Sequence, residues 1–327
     1  MAANKQIEIF GFLWKKVVIA SLLLLNGKHR FSKAHTICVF AQPRGGSTWI
    51  SNLLLHIPRS VKVDEPLFRG KFRPDGEMPP AGFGKLNVLD DLNFYYHQPI
   101  PKGEDFEEAA RFFERLFRLG YSSPYLYEET SLKQLFRPEN VIFKFNEGNL
   151  LMEWLVHRFE LTTIVLLRNP FAVVASQLSF YAFSNVTKAD SYKLPDFRFR
   201  HCLDPYLDHL KGLRYAEEIL AARWCIHYLA VSKTNDKWLT VYYEDVVTRP
   251  QEEIQRIFDY LKRPVPDTLH EDFYTPSFQG YHAEAYYRKP ANSLESWRTI
   301  LSKQQTDRIK RVLEDFKVFE YKGESML

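Results

Sequence analysis

The sequence predicts an α/β fold, a single domain with a central, mostly parallel sheet flanked by helices and carrying long irregular loops. Three observations predict it. Short apolar or β-branched runs at residues 36–41, 61–63, 141–145, 162–167 and 238–243 read as strands. Residues 47–56, 149–159, 170–181, 211–231 and 250–261, lying between or after them, have helical period. Strands that alternate with helices need crossover connections, which make neighbouring strands parallel and cover both sheet faces. No internal repeat or low-complexity linker divides the chain.

The 327 residues, 45% hydrophobic and 26% charged, are enough to bury a sizeable core. One domain over residues 35–327 is expected, with residues 1–34 as an N-terminal helix packed on it. Residues 9–25 are apolar apart from Lys15 and Lys16. The unbroken run after these lysines is too short for a hydrocarbon core of roughly 30 Å, so the segment should dock on the domain. Peripheral membrane contact through residues 9–25 and a homodimer stay open as partners.

A net charge of +4 favours an anionic ligand, but no dense Lys/Arg stripe points to nucleic acid. The odd set Cys38, Cys202 and Cys225 gives no disulfide framework, and no Cys/His spacing suggests zinc. A reducing, cytoplasmic setting without a metal is the expectation. Three irregular stretches, 67–104, 183–210 and 264–296, are candidates for lids and acceptor-binding loops.

The first run, residues 36–41, leads into Gln42-Pro43-Arg44-Gly45-Gly46-Ser47-Thr48-Trp49, where a helix begins near Ser47. A strand, a glycine turn and a helix N-terminus make an anion site, because open backbone N–H groups and the helix dipole face the ligand. Arg44 adds charge, while Ser47 and Thr48 add hydroxyl donors. The nucleoside-triphosphatase pattern with Gly-Lys-Ser/Thr is absent. A tight βα turn with Ser47 as a cap is the plain structural alternative.

The run at 162–167 leads into Arg168-Asn169-Pro170-Phe171-Ala172-Val173-Val174-Ala175-Ser176. Asn169 suits a helix cap and Pro170 the first helical position. Arg168 then leaves the carboxyl end of a strand, where ligands gather in open α/β sheets. Its planar guanidinium suits a phosphate dianion, and Ser176 lies two turns on.

The two segments together resemble the phosphate-binding motifs of sulfotransferases that use 3′-phosphoadenosine 5′-phosphosulfate (PAPS), a family with a P-loop-like domain. The likeness runs over roughly residues 35–321 and is specific at these two places. It implies that Arg44, Gly45, Gly46, Ser47 and Thr48 hold the 5′-phosphate, with Trp49 near the adenine. Gly45 stands where Ser is common, which on this reading removes one hydroxyl contact. It implies that Arg168 and Ser176 hold the 3′-phosphate. Tyr242-Tyr243-Glu244-Asp245 is similar to a late strand-to-helix segment of the family, although Glu244 and Asp245 also read as polar or capping groups. Ser277 and Phe278, then Arg288 and Lys289, resemble the region that closes over the nucleotide; Pro290 replaces the glycine of that triplet.

The family's reaction places the sulfuryl group of PAPS on a hydroxyl and needs a base. Glu65, in Val63-Asp64-Glu65-Pro66, resembles the Glu-Pro of carbohydrate-type and many bacterial sulfotransferases. His97, in Phe94-Tyr95-Tyr96-His97, is the second candidate, since other members use a histidine. Arg44 joins them as the charge beside the departing phosphate. The expected acceptor is a sugar, a glycolipid or another small molecule bearing a hydroxyl. Phe94, Tyr95, Tyr96, Tyr125 and Tyr127 either stack on it or pack a lid. Two other classes fit fewer residues: a small-molecule kinase and a nucleotide-binding protein without catalysis.

Overall fold

A computed structural model describes residues 14–23, 32–82, 84–96, 98–188, 191–232, 237–269, 294–322 and 324–325. Its centre is a five-stranded sheet, all parallel: β1 (Thr36–Ala41), β2 (Ser60–Asp64), β3 (Asn140–Phe145), β4 (Thr162–Leu167) and β5 (Leu239–Tyr242). The spatial order is β2-β3-β1-β4-β5, so the chain reverses direction across the sheet on either side of β1. Cys38 at mid-strand faces Phe143 on one side and Thr163 on the other. β1 and β3 are buried along their whole length, which explains their continuous apolar runs.

Helix α1 (Ser47–Leu54) follows β1, α2 (Glu107–Phe117) precedes β3, and α3 (Met152–Phe159) joins β3 to β4. Helix α4 (Pro170–Leu178) follows β4, and α5 (Ala216–Val231) precedes β5. Then come α6 (Tyr243–Thr248), α7 (Pro250–Tyr260) and α8 (Lys303–Asp315). Both α4 and α8 pack on α5. The two faces of the sheet carry separate cores, one rich in aromatics around Phe143, Phe145 and Trp154, the other aliphatic around Ile37, Val39 and Ile164.

Every strand read from the sequence is present, with small shifts in extent. β2 gains Ser60 and Asp64, which pair with Asn140 and Lys144 of β3. Polar residues at ladder ends carry no apolar signal, although the backbone still pairs. The helix expected over 211–231 starts later, at Ala216, because Gly212 turns the chain with φ +86° and Tyr215 with Glu218 forms a capping box. The helix expected over 149–159 opens as a 3-10 turn, Asn149–Leu151, after Gly148. Helices α2 and α8 lie outside the helical runs named from the sequence. Both are amphipathic: Phe112, Phe113, Leu116 and Phe117 of α2, and Ile309, Val312 and Leu313 of α8, turn inward.

Residues 14–23 are helical, with Ile19 fully buried in the aromatic core and Leu22 and Leu23 packed beside it. Trp14 and Val17 face outward. No helix among the described residues is long and apolar enough to cross a membrane.

Candidate active site

The site lies at the carboxyl ends of β1, β2, β3 and β4, where the turns after the strands meet. The turn after β1 is tight: Gly45 N–H donates to Gln42 O at 2.8 Å. Arg44 has φ +68° and Gly46 φ +100°, so the turn uses left-handed backbone twice. A Cβ on Gly46 would stand 2.6 Å from the Tyr243 ring, and one on Gly45 would stand 2.8 Å from Gln42 O. The second contact revises the expectation for Gly45: a serine there would collide with this turn. Glycine is needed for the turn itself.

Helix α1 starts at Ser47, and helix geometry leaves its first N–H groups open towards an incoming anion. Around this end the two phosphate motifs meet. Arg44 Nε donates to Ser176 Oγ at 3.1 Å, and its guanidinium stands 4.7 Å from the Phe180 ring centre. Arg168 Nη1 donates to Arg44 O at 3.0 Å and stacks 4.2 Å over Tyr243. Arg168 Nε is buried and has no hydrogen-bond partner among the described residues. Tyr243 is also edge-on to Trp49 at 5.7 Å, so one ring forms the floor under both motifs.

Helix α5 braces the turns from behind. Gln42 Nε2 donates to Trp224 O at 3.0 Å, and Trp224 Nε1 donates to Arg168 O at 3.1 Å. Gln177 Nε2 donates to Pro43 O at 2.8 Å. Asn149 Nδ2 donates to Ala41 O at 3.1 Å and lies 2.8 Å from His227 Nδ1. Burial holds the His227 imidazole well below its ordinary pKa, and the Arg223 charge adds to the effect. Neutral His227 therefore accepts from Asn149 through Nδ1. Asn169 caps α4 by accepting from Phe171 N–H at 3.0 Å, while its own N–H donates to Glu244 Oε1 at 2.9 Å.

A second cluster stands at the ends of β2 and β3. Glu65 takes φ +44°, an uncommon conformation for a non-glycine residue and one associated with functional positions. Asn146 Nδ2 donates to Glu65 Oε1 at 2.5 Å, and Ser47 Oγ donates to Asn146 Oδ1 at 2.6 Å. Lys144 Nζ lies 3.1 Å from Glu65 Oε1 and 2.7 Å from Asp64 Oδ1, and donates to Thr48 Oγ1 at 3.2 Å. Lys85 Nζ joins Asp64 through Oδ2 at 3.0 Å and the backbone oxygen at 2.9 Å. Burial alone would lower the Lys144 pKa, but Glu65 and Asp64 outweigh it and raise it. Burial would likewise raise the Asp64 pKa, yet Lys144 and Lys85 hold it well below the carboxylate range. The cluster sets Lys144 and Lys85 against Asp64 and Glu65.

Thus Arg44, Gly45, Gly46, Ser47, Thr48, Trp49, Arg168, Ser176 and Glu65 come together in one place. His97, Ser277, Phe278, Arg288 and Lys289 lie outside the described residues. The sequence reading missed Lys144, Asn146 and Lys85 and gave Tyr243 no role in the site. Lys144 was hidden inside an apolar strand, where a buried lysine is itself a signal. Phe94, Tyr95, Tyr96 and Tyr127 are buried, whereas Tyr125 is half exposed.

The sulfotransferase domain family model matches residues 35–321. The chain belongs to the sulfotransferase family. No curated protein matches it in sequence. Among solved structures it is similar to mouse sulfotransferase SULT7A1 complexed with PAP, at 13% identity over 94% of this chain and 91% of that one, with a TM-score of 0.45. It is also similar to the sulfotransferase domain of the Synechococcus PCC 7002 olefin synthase, at 17% identity over 86% of this chain and 94% of that one (TM-score 0.44). The sulfotransferase domain from the curacin biosynthetic pathway matches at 16% identity over 86% and 96%, with a TM-score of 0.43. The assignment rests on the family match. This sulfotransferase takes its sulfuryl group from PAPS. Its own residues fit such a donor: a turn that needs glycine, an open helix N-terminus, two arginines, and a buried guanidinium nitrogen without an acceptor.

Proposed function

We propose that Glu65 is the general base of this sulfotransferase and that the turns after β1 and β4 hold the two phosphate groups of PAPS. Arg44, Gly45, Gly46, Ser47 and Thr48 would take the 5′-phosphate, Arg168 and Ser176 the 3′-phosphate, with Trp49 near the adenine. Ser277, Phe278, Arg288 and Lys289 would close over the nucleotide. The acceptor is a hydroxyl-bearing small molecule or carbohydrate.

One observation carries the base assignment. Asn146 bridges Glu65 to Ser47, so the carboxylate is fixed to the same helix end that faces the donor. Oε1 takes both Asn146 and Lys144, and no hydrogen bond is made to Oε2 among the described residues. Oε2 is then the oxygen that accepts the proton as the acceptor oxygen bonds to sulfur. The bond from sulfur to the 5′-phosphate oxygen breaks, and adenosine 3′,5′-bisphosphate departs with that electron pair. Arg44 and the open N–H groups of α1 meet the charge left on it. Such fixed donors act without reorganising, and the same logic governs phosphoryl transfer.

The test compares Glu65→Gln with His97→Ala on one acceptor. Glu65→Gln should lose turnover while keeping bisphosphate affinity, and His97→Ala should mainly alter KM. Near-parental turnover of Glu65→Gln beside a collapse in His97→Ala transfers the role to the histidine.

Residues 1–34 are proposed as an arm packed on the domain of a cytoplasmic enzyme, which the burial of Ile19 supports. Membrane sedimentation that resists high salt and carbonate would overturn this.

A further inference from the structure

Behind Glu65, β3 leads into Glu147, directly after Asn146. Arg223, on the second turn of α5, meets it through Nη2 at 2.8 and 3.1 Å from the two carboxylate oxygens. The side chain of Arg223 is 2% exposed. Its guanidinium stands 4.5 Å from the ring centre of Phe72, 5.5 Å from Tyr96 and 5.6 Å from Phe183. Phe72 packs edge-on to both Tyr96 and Tyr192. These rings come from the two irregular stretches, 67–104 and 183–210. The stretches are tied to each other by Lys193 N–H to Pro74 O at 2.8 Å and by Asn93 Nδ2 to Asp196 O at 3.0 Å. Arg223 therefore sits where the two loops close on the strand ends.

The pair does not explain itself as a stabiliser. Apolar side chains of equal volume would serve a buried aromatic cluster as well or better. It also leaves one strong donor unused: Arg223 Nη1 is buried with no hydrogen-bond partner among the described residues. A buried donor of this kind carries a penalty that an entering oxygen would remove. The charge balance says which oxygen. Glu147 is paired with Arg223, and burial, with Glu65 nearby adding to it, raises the Glu147 pKa against the opposing pull of Arg223. A further full negative charge beside these carboxylates would be costly to bury. A neutral oxygen on a ring that lies against the aromatic faces meets the donor without that cost.

We propose that Arg223 Nη1 reads a second, neutral oxygen of the acceptor, a carbonyl, ether or hydroxyl, and so selects neutral ring-bearing alcohols over anionic ones. Glu147 orients the guanidinium for this contact and does not itself touch the acceptor. The proposal rests on the reading of Glu65 as the base beside the acceptor hydroxyl.

Three isosteric phenols test it by calorimetric titration into the full-length enzyme bound to adenosine 3′,5′-bisphosphate. They are para-hydroxyacetophenone, para-isopropenylphenol and para-hydroxybenzoate. The ketone should bind about tenfold tighter than the isopropenyl compound, the size of one added hydrogen bond. The benzoate should bind more weakly than the ketone. In Arg223→Gln/Glu147→Gln, which leaves no buried charge unpaired, the ketone's advantage should vanish while bisphosphate affinity stays. Equal binding of the three probes, tightest binding of the benzoate, or no binding of any overturns the proposal. So does a ketone advantage that survives in the double variant. Bisphosphate is titrated first: failure of the parent to bind it overturns the nucleotide reading and this inference with it. Equal binding of the three probes by the parent with bisphosphate bound overturns the Arg223 assignment alone.

Discussion

On the side proposed for the nucleotide, Arg168 reaches a backbone oxygen at 3.0 Å and lies over the ring of Tyr243, and Arg44 meets a serine hydroxyl. On the side proposed for the acceptor, Lys144 stands between two carboxylates and Lys85 grips one of them again. Arg168 thus carries no ion pair among the described residues and keeps its charge for an anionic ligand. The lysines are already matched, so their charge fixes Glu65 and Asp64. Removing a group from the first side should cost binding, and removing one from the second should cost turnover or stability.

The largest effect is expected at Glu65. Glu65→Gln should lower kcat by about 10²–10⁴-fold, the range for a lost general base, with bisphosphate affinity near the parent's. Steady-state rates and calorimetry on one preparation check both halves, and equal losses of turnover and affinity would erase the contrast between the two sides.

Lys144→Met comes next. It strands Asp64 and Glu65 without their shared cation, and breaking a buried pair in this way costs about 3–5 kcal/mol. Urea unfolding should show the loss, and Asp64→Asn in the same background should recover part of it. No recovery would mean that Lys144 acts mainly through Thr48.

Arg44→Ala and Arg168→Ala should each weaken bisphosphate binding by about 1.5–3 kcal/mol, roughly tenfold or more, with little change in the urea midpoint. If folded variants bind like the parent, the two-turn assignment fails. Gly46→Ala sharpens the same side, because its φ of +100° and the Tyr243 ring at 2.6 Å both oppose a Cβ. Strain of this kind costs about 1–3 kcal/mol, readable as a lower melting temperature together with weaker bisphosphate binding.

The smallest expected effect is on pH dependence. The folded-state pKa of Asp64 is depressed from its ordinary 3.8 to about 2. Its pairing therefore stabilises the fold fully above the unfolded value and is lost as pH falls through the folded one. Urea midpoints should drop as pH moves from about 4 towards 2, and Asp64→Asn should flatten that slope. An unchanged slope would place the acid sensitivity elsewhere.

Most of the fold was legible because each strand of the parallel sheet is a short apolar run closed by a turn residue. What escaped were the ends and the amphipathic elements. Ser60 and Asp64 extend β2 through backbone pairing that polarity conceals, and α2 and α8 mix charged and apolar residues along their length. The turns proposed for the nucleotide were legible for a related reason, since a glycine turn or an Asn-Pro cap feeding a helix is a local arrangement written in consecutive residues.

The acceptor side was not local. The sequence by itself determined the sheet, the two turns proposed to hold phosphate, and Glu65 as a candidate base. Only the tertiary structure decided that Lys144, Asn146 and Lys85 converge on Glu65 and Asp64, that Tyr243 floors both turns, and that Arg223 is buried with a donor unused. The physical reason is that β2 and β3 lie side by side although far apart in the chain. A lysine within an apolar strand has no sequence pattern to announce its partner. The charges it meets are set by strand register, with Asp64 opposite Lys144, and register exists only once the sheet has formed.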